Sequence, residues 1–308
     1  MTTLKIYIQN YLEYCRCRKH LDSKTLKAYQ IDLNQYENFC SEIPKCMTKE
    51  LIDDYITHLH KNYKTKTIKR KIASLKSFFR HMEYKEIIQE NPFSNLELRF
   101  REARPLPKTI PLHYLQSFLT ILYNQKETAV SEYQKRCCIR DIAVIELLFA
   151  TGIRISELCS LKPSDVDLKN NSILIYGKGA KERIIHISNP DVISALECYQ
   201  HTFQTDIDTC GYFFVNRLQK KLSDQSVRFM IKNYTKLANI DHHITPHMFR
   251  HSFATLLLEQ DVDIRYIQQI LGHSSISTTE IYTHVSQIKQ KEILGQKHPR
   301  NLIDINKG

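Results

Sequence analysis

The sequence predicts a mainly α-helical chain with a small antiparallel β-sheet, divided into two domains. Three observations predict it. Apolar residues recur at helical spacing through most of the 308 residues. A stretch rich in proline and arginine, residues 91–111, interrupts that period. Two short β-branched runs, residues 173–176 and 183–187, flank a glycine-containing turn.

Residues 4–18 place Leu4, Tyr7, Ile8, Tyr11 and Cys15 on one helical face. Ser23 is suited to cap a second helix carrying Leu26, Tyr29, Leu33, Tyr36 and Cys40. Thr48 is suited to cap a third, with Leu51, Ile52, Tyr55 and Leu59 inward. A fourth runs from about Thr67 to Met82 and buries Ile68, Ile72, Leu75, Phe79 and Met82. Residues 1–90 are therefore expected to form a four-helix domain. On the fourth helix Lys69, Lys76 and Arg80 share a second face, flanked by Arg70 and Lys71. Such a row either tracks phosphates or is a solvated helix face.

Residues 91–111, NPFSNLELRFREARPLPKTIP, carry four prolines together with Arg99, Arg101 and Arg104. They are expected to be a basic linker, either lying along a polyanion or forming a solvent-exposed hinge. A second domain, residues 112–308, opens with a helix over 112–123 and a polar loop or helix extension over 124–135. An apolar helix over 138–151 is stopped by Gly152. The strands at 173–176 and 183–187 are joined through Gly177-Lys178-Gly179, with Lys181 following. That turn lacks the G-x-x-x-x-G-K-[ST] pattern of a nucleotide phosphate loop. Helices over 190–203 and 224–238 follow, with a strand at 212–215 between them. Asn216 and Arg217, just after that strand, are further candidates for polyanion contact.

Formal net charge is +11 and the sequence pI about 9.1. A balance this basic points to a polyanionic partner, most simply nucleic acid. Residues 1–110 hold 21 Lys and Arg against 13 Asp and Glu, whereas residues 111–308 hold 23 against 20. General backbone gripping is thus expected of the first domain and a few placed cations of the second. No apolar run approaches the roughly 18 residues of a membrane span, and the N-terminus lacks the shape of a secretory signal. The nine cysteines are odd in number and form no C-x-x-C pair. Free thiols in a reducing, cytoplasmic compartment are the expectation, with no structural metal.

The segment 245–284, TPHMFRHSFATLLLEQDVDIRYIQQILGHSSISTTEIYTH, concentrates polar chemistry. His247 and Arg250 are three apart and share a helix face. Pro246 suits the first helical position, and Phe249, Phe253, Leu256 and Leu257 supply an apolar stripe. Gly272 ends the next helical run, residues 263–271, and leaves His273 at its end. Ser277, Thr278 and Thr279 offer a cap for a last short helix carrying Tyr282. Arginine clamps phosphate oxygens in a fork, histidine moves a proton near neutral pH, and tyrosine can act as a covalent nucleophile. Each residue alone reads more simply as structural; the spacing of all four changes that.

His247-Met-Phe-Arg250, Leu271-Gly272-His273 and a tyrosine nine residues after that histidine resemble the C-terminal signature of the tyrosine recombinases, the phage-integrase family, and its Xer-type members in particular. Thr151-Gly152-Ile153-Arg154-Ile155-Ser156-Glu157-Leu158 resembles the family's first arginine box, T-G-x-R-x-S-E-L. The resemblance implies an N-terminal helical core-binding domain and a C-terminal catalytic domain that together clamp DNA. It implies a catalytic set of Arg154, Lys178, His247, Arg250, His273 and Tyr282, with Lys181 second to Lys178. Glu157 is placed to orient Arg154. Lys69, Arg70, Lys76, Arg80, Arg101 and Arg104 are the expected DNA-backbone contacts.

What the resemblance implies of activity is cleavage and rejoining of DNA through a 3′-phosphotyrosyl bond, with no cofactor, metal or ATP. It further implies a double-stranded recombination site, a homo- or heterotetramer joined through the C-terminal tail, and a DNA translocase or another accessory factor. Chromosome dimer resolution is the expected role. An integrase of a mobile element, a type IB topoisomerase and a catalytically silent DNA-binding regulator are the alternatives.

Overall fold

A computed structural model describes residues 3–40, 47–94, 96, 108–177 and 182–272. Arg101, Arg104, Lys178, Lys181, His273, Tyr282 and the tail after it lie outside the described residues. The chain divides into two units, Met1–Arg104 and Pro105–Gly308, each with its own hydrophobic core.

The first unit is built from α1 (Thr3–Cys17), α2 (Ser23–Cys40), α3 (Lys49–Asn62) and α4 (Thr65–Tyr84). Their inward positions are aromatic. Tyr36 meets Tyr55 edge-on at 5.0 Å and Phe79 at 5.9 Å, a geometry the ring quadrupoles favour. Phe79 is fully buried, which stabilises the unit by about 1.5–3 kcal/mol. The Tyr11 hydroxyl keeps a partner inside by donating to Ser77 Oγ at 2.7 Å. Thr48 caps α3, its hydroxyl accepting from the Leu51 N–H at 3.4 Å. The expected cap on α2 is corrected by one residue. Asp22, not Ser23, takes the role, accepting from the Thr25 N–H at 2.9 Å and its hydroxyl at 2.8 Å. A carboxylate there also answers the positive end of the helix dipole.

The second unit runs α5 (Leu112–Glu127), α6 (Glu132–Thr151), α7 (Ile155–Ser160), β1 (Val166–Asp167), β2 (Ser172–Tyr176), β3 (Glu182–His186), α8 (Pro190–Cys210), α9 (Asp224–Leu237), α10 (Pro246–Glu259) and α11 (Ile264–Leu271). The apolar α6 packs against α5, α8 and α10. The 124–135 stretch splits. α5 continues through Glu127, and α6 is then capped by Ser131, whose hydroxyl accepts from the Gln134 N–H while Gln134 Oε1 accepts from the Ser131 N–H, each at 3.2 Å.

The sheet is antiparallel in the order β1-β2-β3. Its two-residue first strand is too short to show a period in sequence. Ile173 faces Ile185 and Ile175 faces Arg183. The strand expected at 212–215 is corrected to a single bridge between Val215 and Lys221. A side chain satisfies that backbone instead. The buried Tyr199 hydroxyl donates to the Phe213 carbonyl at 2.9 Å and accepts from the Val215 N–H at 3.0 Å. No helix among the described residues is long and apolar enough to cross a membrane.

Candidate active site

The site begins where α6 ends. Gly152 adopts φ +59°, and a Cβ there would lie 2.6 Å from Phe253 Cδ1 and 2.9 Å from Leu271 Cδ2. Both the left-handed backbone and the close approach of α10 and α11 demand glycine. Two residues later Arg154 opens α7. Glu157 Oε2 accepts from the Arg154 N–H at 2.9 Å, and Oε1 accepts from Arg154 Nη1 at 2.7 Å. Glu157 is buried, whereas about a third of the Arg154 side chain, 35%, is exposed. A buried carboxylate therefore grips both the backbone and the head of a half-exposed guanidinium.

Glu157 has a second cation. Arg183 of β3 donates from Nη2 to Glu157 Oε2 at 2.7 Å and from Nη1 to Oε1 at 3.4 Å, and its Nε donates to the Ile270 carbonyl at 2.7 Å. Burial acts to raise the Glu157 pKa. The hydrogen bonds and charge of Arg183, with those of Arg154, outweigh it and hold the carboxyl below its ordinary value.

Arg250 is buried in α10. Its Nη1 donates to the Gly152 carbonyl at 2.8 Å and its Nη2 to the Leu271 carbonyl at 2.7 Å. One turn earlier on the same helix, His247 is exposed. His251 follows Arg250, its pKa pushed down to about 4 by burial and then by the neighbouring His247 and Arg250. Ser252 anchors the start of the unit, accepting from the Ile110 N–H at 2.7 Å. The structure thus gathers Arg154 and Arg250 around one corner of the chain and puts His247 on the helix that carries Arg250.

In the first unit Lys76 and Arg80 are exposed along α4, with Lys69 half-buried on the same face. Arg70 is ion-paired with the buried Asp32. Lys71 does not flank that face. It is 2% exposed and turns inward to Asp32 Oδ1 at 3.1 Å and to Gln35, and Ser74 donates to the same carboxylate at 3.0 Å. Asn216 organises its own turn, its Oδ1 accepting from the Leu218 and Lys220 N–H groups at 2.8 and 3.2 Å.

Arg183 is the member of this corner that sequence reasoning missed. Its signal was present. In the R-I-I-H-I run, Arg183 falls on the same strand face as Ile185 and Ile187, and a cation at a core-facing position needs an acid partner.

Residues 120–288 match the Phage integrase family, and residues 8–85 match the Phage integrase N-terminal SAM-like domain. A tyrosine recombinase of Agathobacter rectalis is 55% identical over 301 residues, spanning 97% of this chain and 98% of that protein. Tyrosine recombinase XerC of Thermodesulfovibrio yellowstonii is 35% identical, over 97% of this chain and 98% of its own. The crystal structure of XerH site-specific recombinase bound to a palindromic difH substrate, a post-cleavage complex, has a similar fold. Its TM-score is 0.74 at 22% identity, over 92% of this chain and 83% of that one.

Proposed function

Because the chain belongs to the Phage integrase family, as a site-specific tyrosine recombinase that cleaves and rejoins DNA strands, we propose that Arg154, Lys178, His247, Arg250, His273 and Tyr282 form its catalytic set. The observation that carries this reading is the shared corner. Arg250 holds the carbonyl of Gly152, two residues before Arg154, and the carbonyl of Leu271, two residues before His273.

The Tyr282 phenolic oxygen attacks the phosphorus of a DNA phosphodiester. A free phenol has a pKa of about 10, so its proton passes to His247 while the surrounding cations favour the phenolate. The bond from phosphorus to the 5′ oxygen breaks, and Lys178 gives that oxygen its proton. Arg154 and Arg250 hold the non-bridging oxygens, whose charge grows in the pentavalent transition state, and His273 hydrogen-bonds a phosphate oxygen. One such donor is worth about 2.7–4 kcal/mol of transition-state stabilisation. The 3′-phosphotyrosyl bond conserves the phosphodiester energy, so attack by another 5′-hydroxyl exchanges strands.

The substrate is a double-stranded recombination site. Residues 1–90 form one arm of a clamp around it and residues 112–308 the other, joined by the linker at 91–111. Lys69, Arg70, Lys76, Arg80, Arg101 and Arg104 lie along the DNA backbone. Four protomers, joined through their C-terminal tails, bring two sites together in the cytoplasm, and a DNA translocase or accessory factor is a further partner. Names of relatives such as XerC support an Xer-type recombinase, and resolution of chromosome dimers is the role we propose for it.

The test is trapping of covalent protein–DNA adducts on nicked substrates. The Tyr282→Phe variant retains DNA binding and forms no adduct. An adduct that persists in that variant rejects the assignment.

A further inference from the structure

We infer that Arg183 is a positioning residue of the recombinase: it ties the β-hairpin, the Arg154 segment and the end of α11 into one unit, and so sets the geometry of the phosphate-binding arginine. This rests on the catalytic reading of Arg154 given above.

Three contacts carry it. The Arg183 guanidinium forks onto Glu157, at 2.7 and 3.4 Å, and Glu157 in turn holds the Arg154 backbone and head group at 2.9 and 2.7 Å. Arg183 Nε reaches the Ile270 carbonyl at 2.7 Å, inside the last turn of α11. Its side chain also lies against Gly272. A Cβ there would sit 3.0 Å from Arg183 Nη1 and 3.2 Å from both Cδ and Cζ. The glycine of the Leu271-Gly272-His273 motif therefore has two causes, its φ of +65° and the seat it leaves for Arg183.

Arginine suits this place and lysine does not. A planar fork can face a carboxylate while Nε addresses a carbonyl in another direction, whereas an ammonium is a single point charge. The Arg183 side chain is 11% exposed and that of Glu157 6%, so water replaces neither partner easily. Arg183 also leads out of the hairpin that contains Lys178, five residues earlier. One side chain thus joins the strand following that lysine, the carboxylate behind Arg154 and the backbone preceding His273.

The test uses the full chain with Arg183→Gln and the milder Arg183→Lys. DNA affinity is measured by titration and single-turnover adduct formation on a nicked duplex. Both variants are expected to bind DNA within about threefold of the parent. Cleavage is expected to slow about 10–100-fold in Arg183→Gln, in line with the sensitivity of such chemistry to small misplacements, and less in Arg183→Lys. Because Arg183 acts through Arg154, adding Arg183→Gln to Arg154→Ala slows cleavage little beyond Arg154→Ala alone. Unchanged cleavage in a folded Arg183→Gln, or fully multiplicative losses in the double variant, overturns the positioning role. If Arg154→Ala itself cleaves at the parent rate, the catalytic reading of Arg154 fails instead. If Arg183→Gln does not fold, the comparison of Arg183→Lys with and without Arg154→Ala decides by the same criterion.

Discussion

The Arg250 guanidinium spans two backbone carbonyls, Gly152 at 2.8 Å and Leu271 at 2.7 Å, and is itself buried. The residue assigned to a phosphate oxygen is therefore also a strut between the end of α6 and the end of α11. Arg250→Lys keeps the charge but cannot address both carbonyls at once. The expected outcome is a loss of about 1–3 kcal/mol of stability, the cost of leaving a buried acceptor unpaired, together with slower cleavage. Denaturant titration and adduct formation measured side by side check it. A variant as stable as the parent contradicts the strut.

Gly152→Ala is expected to destabilise the second unit. The left-handed conformation costs an L-residue about 1–2 kcal/mol. The new methyl meets the Phe253 ring at 2.6 Å and Leu271 at 2.9 Å, and overpacking adds about 1–3 kcal/mol. Thermal unfolding of the variant reads this directly. The same collision pushes α10 away, so cleavage falls more than DNA binding does.

Asp32 is fully buried and holds Arg70, Lys71 and Ser74 together. Asp32→Ala leaves the Lys71 ammonium, which is 2% exposed, with Gln35 but without its carboxylate partner. Removing one partner of such a pair costs about 3–5 kcal/mol. Chemical denaturation is expected to show that loss, with DNA affinity falling as Arg70 loses its anchor on α4. A double change, Asp32→Leu with Lys71→Met, recovers most of the stability and separates the two effects.

Acid is expected to weaken the fold through two groups. His251 titrates near its ordinary value of about 6.5 when unfolded, but its folded pKa is pushed down to about 4 by burial and by His247 and Arg250. Between those values the unfolded chain binds a proton that the folded chain refuses, so stability falls as pH drops through that window. Glu157, also lowered in the fold, adds a further loss as pH falls below about 4.3. Denaturant midpoints measured from pH 7 to 5 should decline steadily, and His251→Asn should flatten that decline.

What the sequence made legible was local. Thr48 and Gly152 mark helix ends because a hydroxyl cap and a left-handed glycine act within one turn of the chain. Glu157 is visible as a partner of Arg154 because three residues separate them. The choice of Asp22 over Ser23 was not legible, since adjacent residues were both competent and only the folded turn selects between them. Lys71 turns inward because of Asp32, 39 positions away on another helix. Arg183 earns its place through Glu157 and Ile270, 26 and 87 positions away. Such pairings follow from tertiary packing, which periodicity along one helix does not encode.

The bond from the Ile110 N–H to Ser252 Oγ pins the approach to α5 onto the helix that bears Arg250. Residues inserted between Ile110 and the start of α5 fall on the far side of that pin and shift α5 against the helix bearing Arg250, so one backbone amide sets the spacing of the two.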